Sequence, residues 1–568
     1  MQQAKPDLLE RIRELPIEAK ALAFAEAMMA LLCVYRFYNY EVTGFFVSDE
    51  FGYYYDAAHA SIYGDRWFFG WLNVVLFDIF GIRTPDAFAY FLPFYLFLWA
   101  GTTIYVFYRW LKLLDFTSLT VALSVVSSFV LVSFVLLSLG FLTETVGLCM
   151  AMLGIYGLVR FLKSDGEYKR FAWLVFAALF LGFAGGTREP YVALEIGAVG
   201  MVIIAAFRHP VKISAAHYGP KALAALSIMV FLVPTGLMLY GNTATTSTVV
   251  PLATGILQSV LSNPTTVIKN VTVTVTRTST AVPIFGTSIL SNTLVIFIGG
   301  IILGWGPIAF PIAVIGLLIL MRASFRRDRM AQAILILVFS ALASYLVVSF
   351  LFAPDPTYFT FTNYSTIIRF AGTALPAFFL TAPFFLAIMA RRRRRVMGLV
   401  VVSIVSLLVV VPAYQTFAIS NLGYTTVSPL SPSYRSPAVQ VRDYVNAHQA
   451  DAPFDIVGVP YGWYFTPGIS GLKSVNVYSP SAEHTLSPAL NYTAFLSMRF
   501  TQFYVYSSTN FVSEESASPY VLQFIPGAPH AASNQSTTPF AILNSTVVIR
   551  NPDFLFTKVD LSWSGPGH

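Results

Sequence analysis

The sequence predicts a helical protein that crosses a membrane many times and ends in a small α/β domain on the non-cytoplasmic side. Two observations predict the membrane part. The 568 residues are 56% hydrophobic and only 11% charged, whereas a soluble protein carries about 25% charged residues. Apolar segments near twenty residues long, enough to cross about 30 Å of hydrocarbon, recur along the chain. Lipid is therefore the predicted solvent for most of the protein.

The chain divides into three regions. Residues 1–19 carry mixed charges and predict a cytoplasmic amphipathic helix. Residues 20–414 are the predicted transmembrane domain, with long outer connections at 41–85 and 241–297. Residues 415–568 are the predicted extracytoplasmic domain. About eleven transmembrane helices are expected, near 20–40, 86–108, 116–138, 143–162, 171–186, 190–207, 222–240, 298–321, 331–352, 370–390 and 396–414.

Basic residues determine the predicted orientation, because Lys and Arg are enriched at the cytoplasmic ends of spans. One set of connections carries most of them, including Arg109, Lys112, Lys163 and the run Arg391 to Arg395. An odd number of spans then places the N-terminus in the cytoplasm and the C-terminal domain outside. A plasma membrane or an endomembrane fits this topology.

Two stretches outside the spans have their own predicted structure. In the first outer connection, the aromatic segments 56–63 and 67–80 predict helices that lie in the membrane interface. In the tail, helical spacing from Val439 to His448 alternates with short apolar strand candidates at 454–459, 521–525 and 546–549. This alternation predicts the α/β domain.

The composition also argues against several functional classes. The formal net charge is +7, but the basic runs flank spans and lack the interleaved aromatic residues of a nucleic-acid stacking surface. The seven histidines show no metal-ligand spacing, and the sequence has no Walker loop and no G-x-S-x-G elbow. We therefore expect no nucleic-acid partner, no metal and no cofactor.

An acidic pair, Asp49-Glu50, follows the first predicted span among aromatic residues. Neighbouring carboxyls in apolar surroundings acquire separated pKa values, which suits one of them to act as a general base. The alternative is structural, with Ser48 or Asp49 capping a helix that continues through Tyr53. Spacing alone does not separate the two interpretations.

Two arginines lie at predicted outer ends of spans, where a guanidinium offers a planar fork to phosphate. Arg188 follows two glycines and Thr187, and its alternative role is an interfacial anchor paired with Glu189. Arg369 runs against the positive-inside bias. It therefore predicts an anionic partner, which is a lipid headgroup, a protein carboxylate or a substrate phosphate.

Other charges near the spans supply further candidates. Lys269 and Arg277 in the second outer connection are outer cations of the same kind as Arg369. Among the acidic residues, which are costly in a membrane, we place Glu144 at a turn. Glu26 and Glu195 are compatible with a proton path and favour a transporter.

Together these features resemble the GT-C glycosyltransferases, which include protein O-mannosyltransferases and aminoarabinose transferases. The resemblance rests on the Asp49-Glu50 pair in a long first outer loop, the interfacial helices after it, and the Gly-Gly-Thr-Arg-Glu-Pro stretch at 185–190. Arg369 before the span that contains Pro376, and the tail segment 548–554, add to it.

The resemblance implies a role for each candidate. Asp49 would be the general base, and Glu50 would position the acceptor or the base. Arg188 and Arg369 would hold the phosphate of a polyprenyl- or dolichyl-phosphate sugar. The implied substrate-binding set is completed by Glu189, Tyr54, Lys269 and Arg277. The family needs no nucleotide sugar and usually no metal. Because this chain lacks the inserted lumenal domain of the O-mannosyltransferases, its donor sugar and acceptor stay open.

The sequence thus predicts an inverting membrane glycosyltransferase that moves a sugar from a polyprenyl-phosphate carrier to an extracytoplasmic protein, glycan or lipid. The alternatives are a lipid-linked glycan transporter, flippase or polymerase, or a non-catalytic subunit of an envelope complex. Membrane lipid is an expected partner in each case. The oligomeric state is not predicted.

Overall fold

A computed structural model gives the fold. It describes residues 14–43, 53–54, 57–58, 60, 66–83, 85–208, 289–353, 369–391, 398, 403–405, 407–408, 440, 443–444, 446–448, 454–457, 475–478, 520–524, 540–550 and 554–563. The predicted spans near 222–240 and most of 396–414 lie outside these residues.

The described part is mainly helical. The helices are α1 (Ile17–Thr43), α2 (Trp67–Phe80), α3 (Pro85–Leu113), α4 (Ser118–Ser127), α5 (Val132–Leu137), α6 (Thr143–Lys163), α7 (Glu167–Thr187), α8 (Val192–Arg208), α9 (Ile289–Trp305), α10 (Ala309–Phe325), α11 (Arg329–Phe352) and α12 (Leu375–Ala390). Short 3-10 turns lie at Ser128–Val130, Glu189–Tyr191 and Gly372–Ala374.

The chain separates into two compact units. The first comprises Met1–Cys33, His59–Ile79 and Phe94–Val411, and the second comprises Val34–Ala58, Phe80–Pro93 and Pro412–His568. The first unit therefore contains most of the apolar helices. The second combines the tail with two segments from the N-terminal part of the chain.

Five of the described helices are long and apolar enough to cross a membrane, or six if a bent pair counts as one span. The five contain the predicted spans 86–108, 143–162, 171–186, 331–352 and 370–390. The membrane character predicted from composition is thus confirmed for these segments by their length and apolarity. The helix predicted at 67–80 is also present, as α2; its position at the membrane interface stays a prediction.

The predicted span 116–138 is wrong as a single helix. It consists of α4, a 3-10 turn and α5, separated at Leu131, which is extended. The Ser127 and Ser128 hydroxyls each donate at 2.7 Å to the carbonyl three residues earlier. Such side-chain bonds compete with the helical hydrogen bonds, so the two serines favour a break here.

The predicted span 298–321 is also divided. It consists of α9 and α10, which meet at a bend of 111°. Gly306 has a φ of +90°, a conformation suited to glycine, and Pro307 cannot continue the helix. In addition, α9 begins at Ile289, inside the region assigned to the second outer connection.

Helices α6 and α7 form an antiparallel hairpin in which small residues bring the backbones together. A Cβ added at Gly157 would lie 3.1 Å from the Ala177 Cα, and one at Gly154 would lie 2.5 Å from the Leu181 Cγ. Close approach at small residues is a common way to pack helices in lipid. This hairpin holds two sets of charged residues at its opposite ends.

The tail contains a five-stranded mixed sheet. Its strands are β1 (Phe454–Val457), β2 (Val475–Tyr478), β3 (Tyr520–Phe524), β4 (Phe540–Arg550) and β5 (Phe554–Trp563), in the order β2-β1-β3-β5-β4. Strand β1 is parallel to β2 and β3, whereas β5 is antiparallel to β3 and β4. The predicted strand candidates overlap β1, β3 and β4, and β2 and β5 were not predicted.

Candidate functional site

The centre of the site is the carboxylate of Glu144, in the first turn of α6. Its side chain is 1% exposed. The Arg188 Nη1 lies 2.9 Å from Glu144 Oε1, and the Arg369 Nε lies 2.8 Å from the same oxygen. Two guanidiniums that are 181 positions apart in the sequence therefore converge on one buried carboxylate oxygen.

Thr143 joins the carboxylate to one of the arginines. Its hydroxyl donates to Glu144 Oε2 at 3.0 Å and accepts from Arg188 Nη1 at 3.2 Å. Thr143 is fully buried. Hydrogen bonds to charged groups are stronger than neutral ones, so Thr143 restricts both side chains to one arrangement.

The start of α6 positions this pair. Leu142 is extended, with φ −126° and ψ 151°, and the helix begins at Thr143. The Thr145 hydroxyl donates to the Leu137 carbonyl at the end of α5. The acidic side chain in the first turn also lies where the helix macrodipole favours negative charge. The local sequence therefore places a carboxylate at a helix end that stabilises it.

Arg188 is positioned by the junction of α7 and α8. It ends α7 in an extended conformation, with φ −155° and ψ 121°, and the following 3-10 turn has Pro190 near its start. The Arg188 guanidinium carbon lies 5.3 Å from the Phe370 ring centroid, within the range of a cation–π contact. Arg188 is thus fixed by a carboxylate, a hydroxyl and an aromatic face.

Close packing supports the junction. A Cβ at Gly147 would lie 2.7 Å from Tyr191 Cε2, and a Cβ at Gly186 would lie 2.7 Å from the Trp67 ring. Tyr191 is fully buried. These glycines let large aromatic side chains pack directly against the helices that carry Glu144 and Arg188.

A third arginine, Arg66, precedes α2 and adds to the local charge. It interacts electrostatically with both other arginines and with Glu144 and Glu189. Burial, followed by the repulsion from Arg188, lowers the pKa of the Arg66 guanidinium below its ordinary value. Arg66 therefore belongs to the same electrostatic group as Arg188 and Arg369.

Five charged residues gather here. They are the three guanidiniums Arg66, Arg188 and Arg369 and the two carboxylates Glu144 and Glu189. We call these five residues the arginine cluster. The Arg188 Nε has no hydrogen-bond partner among the residues that the structure describes. A guanidinium N–H donates well to phosphate or carboxylate oxygens, so the arginine cluster is suited to contact an anionic group through Arg188 Nε.

The structure brings together only some of the site residues predicted from the sequence. Arg188 and Arg369 meet at Glu144, and Glu189 begins the adjacent 3-10 turn. Tyr54 belongs to the second unit, where its ring packs on Phe88 at 4.9 Å. The remaining candidates lie outside the described residues: Asp49, Glu50, Lys269 and Arg277.

Two sequence interpretations need correction. Arg188 is not an interfacial anchor paired with Glu189, because it is buried and its carboxylate partner is Glu144. Glu144 does not lie in the connection before α6. It is the second residue of that helix. The anionic partner predicted for Arg369 is, in this structure, a protein carboxylate.

Sequence reasoning missed Thr143, Glu144 and Arg66 as site residues. A signal for Glu144 was present, since it is the only charged residue between Asp115 and Arg160. An isolated acid in such an apolar stretch is a functional candidate by default. Thr143 and Arg66 have no comparable signal, because neither type is unusual at the end of an apolar segment.

The described residues were also considered as metal ligands. They contain no group of three or more His, Cys, Asp or Glu side chains that could hold a metal ion.

Comparison with known proteins gave structural similarity only. No family model and no curated protein matches the chain. An oligosaccharyltransferase from Archaeoglobus fulgidus, in the apo form, is 13% identical, with 89% of this chain and 69% of that chain covered and a TM-score of 0.46. The same enzyme tethered to an acceptor peptide with the NVT sequon has the same identity and coverage and a TM-score of 0.36. At these scores the similarity carries no argument about this chain.

Proposed function

We propose that this protein is an inverting membrane glycosyltransferase. It would move one sugar from a polyprenyl-phosphate carrier to an acceptor hydroxyl or amide on the outer side of the membrane. The observation that carries the proposal is the convergence of Arg188 and Arg369 on buried Glu144, beside Arg66. The Arg188 Nε, which has no hydrogen-bond partner among the described residues, can donate to an oxygen of a sugar phosphodiester.

The location of the arginine cluster supports a lipid-linked donor. Glu144 and Arg188 lie at one end of the α6–α7 hairpin, and Arg369 precedes α12. All three helices are candidate membrane spans. A phosphate joined to a polyprenyl chain resides at such a boundary between lipid and water, whereas a soluble donor would need no membrane-embedded arginines.

The chemical step requires a base and a stabilised leaving group. The acceptor oxygen or nitrogen attacks the anomeric carbon of the sugar, and the bond from that carbon to the phosphate oxygen breaks. The polyprenyl phosphate departs with the bonding electron pair, and a base receives the acceptor proton. Fixed guanidiniums stabilise the charge that develops on the departing phosphate.

The residues have separate proposed roles in this step. Arg188, Arg369 and Arg66 hold the donor phosphate, and Glu144 positions the first two. Asp49 is the proposed general base and Glu50 positions it or the acceptor, as the GT-C resemblance implies. Further proposed substrate contacts are Glu189, Tyr54, Lys269 and Arg277.

A transfer assay tests the proposal. The purified protein is reconstituted in vesicles with a radiolabelled polyprenyl-phosphate sugar, and release of polyprenyl phosphate is measured. Asp49→Asn should lower the rate at least about a hundredfold, in the range of general-base catalysis, while donor binding is retained. Arg369→Gln should weaken donor binding, whereas Arg326→Gln, an exposed arginine after α10, should change neither. Unchanged release in both test variants would refute the proposal.

One observation favours a transporter as the second candidate. Broken helices mark the substrate sites of many transporters, and α9 and α10 meet at 111° around Gly306. Glu195 is also buried, and its carboxylate packs so closely on Gly185 that a Cβ there would collide with it. A buried acid in a helix is compatible with the proton path predicted from the sequence. A flipping assay with a fluorescent lipid-linked glycan separates the candidates. Lipid movement without sugar release would favour transport.

A further inference from the structure

A second charged site lies at the other end of the α6–α7 hairpin. There α3, α6, α7 and the connections between them line an open pocket of about 790 Å³. Its lining includes five basic side chains, two acidic ones and three large aromatic rings. Because Glu144 and the pocket residue Arg160 are 16 positions apart on α6 and the helix rises about 1.5 Å per residue, they are about 24 Å apart along its axis. The pocket is therefore separate from the arginine cluster.

Two of the basic side chains in the pocket are already neutralised. The Lys112 Nζ lies 3.0 Å from Glu18 Oε1 of α1, and the Lys163 Nζ forms a salt bridge with Asp115. The Lys163 ammonium also donates to the Leu113 carbonyl at 2.6 Å. These pairs join the helix ends and leave little capacity for another anion.

Two arginines in the pocket have a different environment. Arg109 Nη1 donates to the Tyr105 hydroxyl at 2.8 Å, and Arg160 Nε donates to the Tyr156 hydroxyl at 2.8 Å. The Arg160 guanidinium also lies 5.6 Å from the Trp173 ring centroid. Neither arginine has a carboxylate partner among the described residues. Aromatic groups thus orient both guanidiniums while their charge stays uncompensated.

The net charge of the pocket follows from these contacts. After the two salt bridges are set aside, Arg109, Arg160 and Lys169 remain against one carboxylate, Asp165. The pocket therefore carries two uncompensated positive charges. Arginine forks fit phosphate oxygens closely, so the chemistry of the site selects a phosphate group.

The neighbouring surface indicates how that phosphate is carried. Phe94, Leu98 and Tyr105 lie on the face of α3 that carries Arg109 and are each about 37–55% exposed. They form an apolar stripe that runs from Arg109 along the same helix. A phosphate with attached acyl chains would occupy both the pocket and the stripe, whereas a soluble anion would use only the pocket.

We propose that this pocket binds the phosphate headgroup of an anionic membrane phospholipid. Arg109 and Arg160 contact the phosphate, Lys169 contributes long-range attraction, and the acyl chains lie along the α3 stripe. Basic pockets between transmembrane helices at the cytoplasmic surface recognise anionic lipid headgroups, and the positive-inside rule assigns this end of the helices to that surface. The site is independent of the proposed transferase activity.

Native mass spectrometry of the purified full-length protein in detergent tests the proposal. Phosphatidylglycerol and phosphatidylcholine are titrated separately, and the affinity of the retained lipid is measured. The wild type should retain phosphatidylglycerol preferentially. The double variant Arg109→Gln/Arg160→Gln should lose about 25-fold in affinity, because each basic residue near a membrane surface contributes about fivefold.

Matched variants and a competitor separate the possible outcomes. Arg322→Gln/Arg326→Gln removes two exposed arginines at the end of α10 and should leave the affinity unchanged. Arg109→Lys/Arg160→Lys should retain most of it. Equal retention by the glutamine variant and its control, or no preference over phosphatidylcholine, would overturn the proposal. So would displacement by millimolar inorganic phosphate, which would identify a soluble anion. If the glutamine variant does not fold, the lipid preference and the competition decide alone.

Discussion

The two ends of the α6–α7 hairpin hold similar charged groups in opposite surroundings. At one end, Glu144 and Arg188 are at most 3% exposed. At the other, the Asp115 side chain is 82% exposed and its partner Lys163 is 33% exposed. Coulomb interactions are stronger away from water, but an unpaired charge is also far more costly there. The buried end therefore depends on complete compensation, whereas the exposed end tolerates an imbalance that solvent screens.

Removal of the buried carboxylate should have the largest effect on stability. Glu144→Gln keeps the shape of the side chain but leaves its arginines without their shared counter-charge. Breaking a buried ion pair in this way costs about 3–5 kcal/mol. Asp115→Asn is the matched change at the exposed end, and asparagine tolerates the φ of +58° found there. It should cost less than about 1 kcal/mol.

Free energies of unfolding in mixed micelles, obtained by titration with sodium dodecyl sulfate, measure both variants. A large loss for Glu144→Gln and a small one for Asp115→Asn are expected. Equal losses would show that the two ends do not differ in the way their burial indicates.

Packing at the buried end should give the next largest effect. Gly147→Ala places a Cβ 2.7 Å from Tyr191 Cε2, and overpacking of this kind costs about 1–3 kcal/mol. Gly200→Ala in α8 is the control, since a Cβ there meets nothing within 4 Å. The control should be neutral or slightly stabilising because alanine favours helices. Thermal unfolding in one detergent compares the pair, and equal midpoints would contradict the packing of Tyr191 against α6.

The hydroxyl that connects the buried charges should contribute less. Thr143→Val retains the side-chain shape but removes the hydrogen bonds to Glu144 and Arg188. Loss of bonds to charged partners costs about 1.5–3 kcal/mol, less than removal of the buried carboxylate. A double-mutant cycle with Arg188→Gln isolates the contribution. Additive effects of the two substitutions would mean that Thr143 does not position Arg188.

The smallest expected effect is a difference between the two ends in how far salt weakens their ion pairs. A double-mutant cycle on Lys163 and Asp115 should give a coupling of about 0–1 kcal/mol that decreases as salt is raised. The corresponding cycle on Arg369 and Glu144 should be nearly independent of salt, because Glu144 is buried. If both coupling energies decreased similarly with salt, solvent would have access to both ion pairs, contrary to the burial of Glu144.

The sequence predicted the exposed end of this comparison better than the buried end. Lys112, Lys163 and Lys169 mark the ends of apolar segments, and that local pattern is sufficient to group them on one side. The membrane character of α3, α6, α7, α11 and α12 followed from composition and length in the same way. Features that depend on one continuous stretch of sequence could therefore be predicted.

The arginine cluster depends on contacts that no local pattern encodes. Arg188 and Arg369 were recognisable individually as unusual cations, but their shared partner lies 44 positions before one and 225 before the other. The division of the predicted span 298–321 was missed for a different reason. Apolar periodicity counts residues and does not register the positive φ of Gly306, which bends the chain without changing its hydropathy.

The affinity for a polyprenyl-phosphate sugar tests most directly whether the arginine cluster binds the donor phosphate. Equilibrium binding of the labelled donor to the reconstituted protein is measured for the wild type, Arg369→Gln and the exposed control Arg326→Gln. Loss of one charge-assisted contact corresponds to about 1.5–3 kcal/mol, or roughly a 10- to 150-fold weaker Kd. This loss is expected for Arg369→Gln and an unchanged Kd for Arg326→Gln. A folded Arg369→Gln protein that binds the donor as tightly as the wild type would contradict donor binding by the arginine cluster.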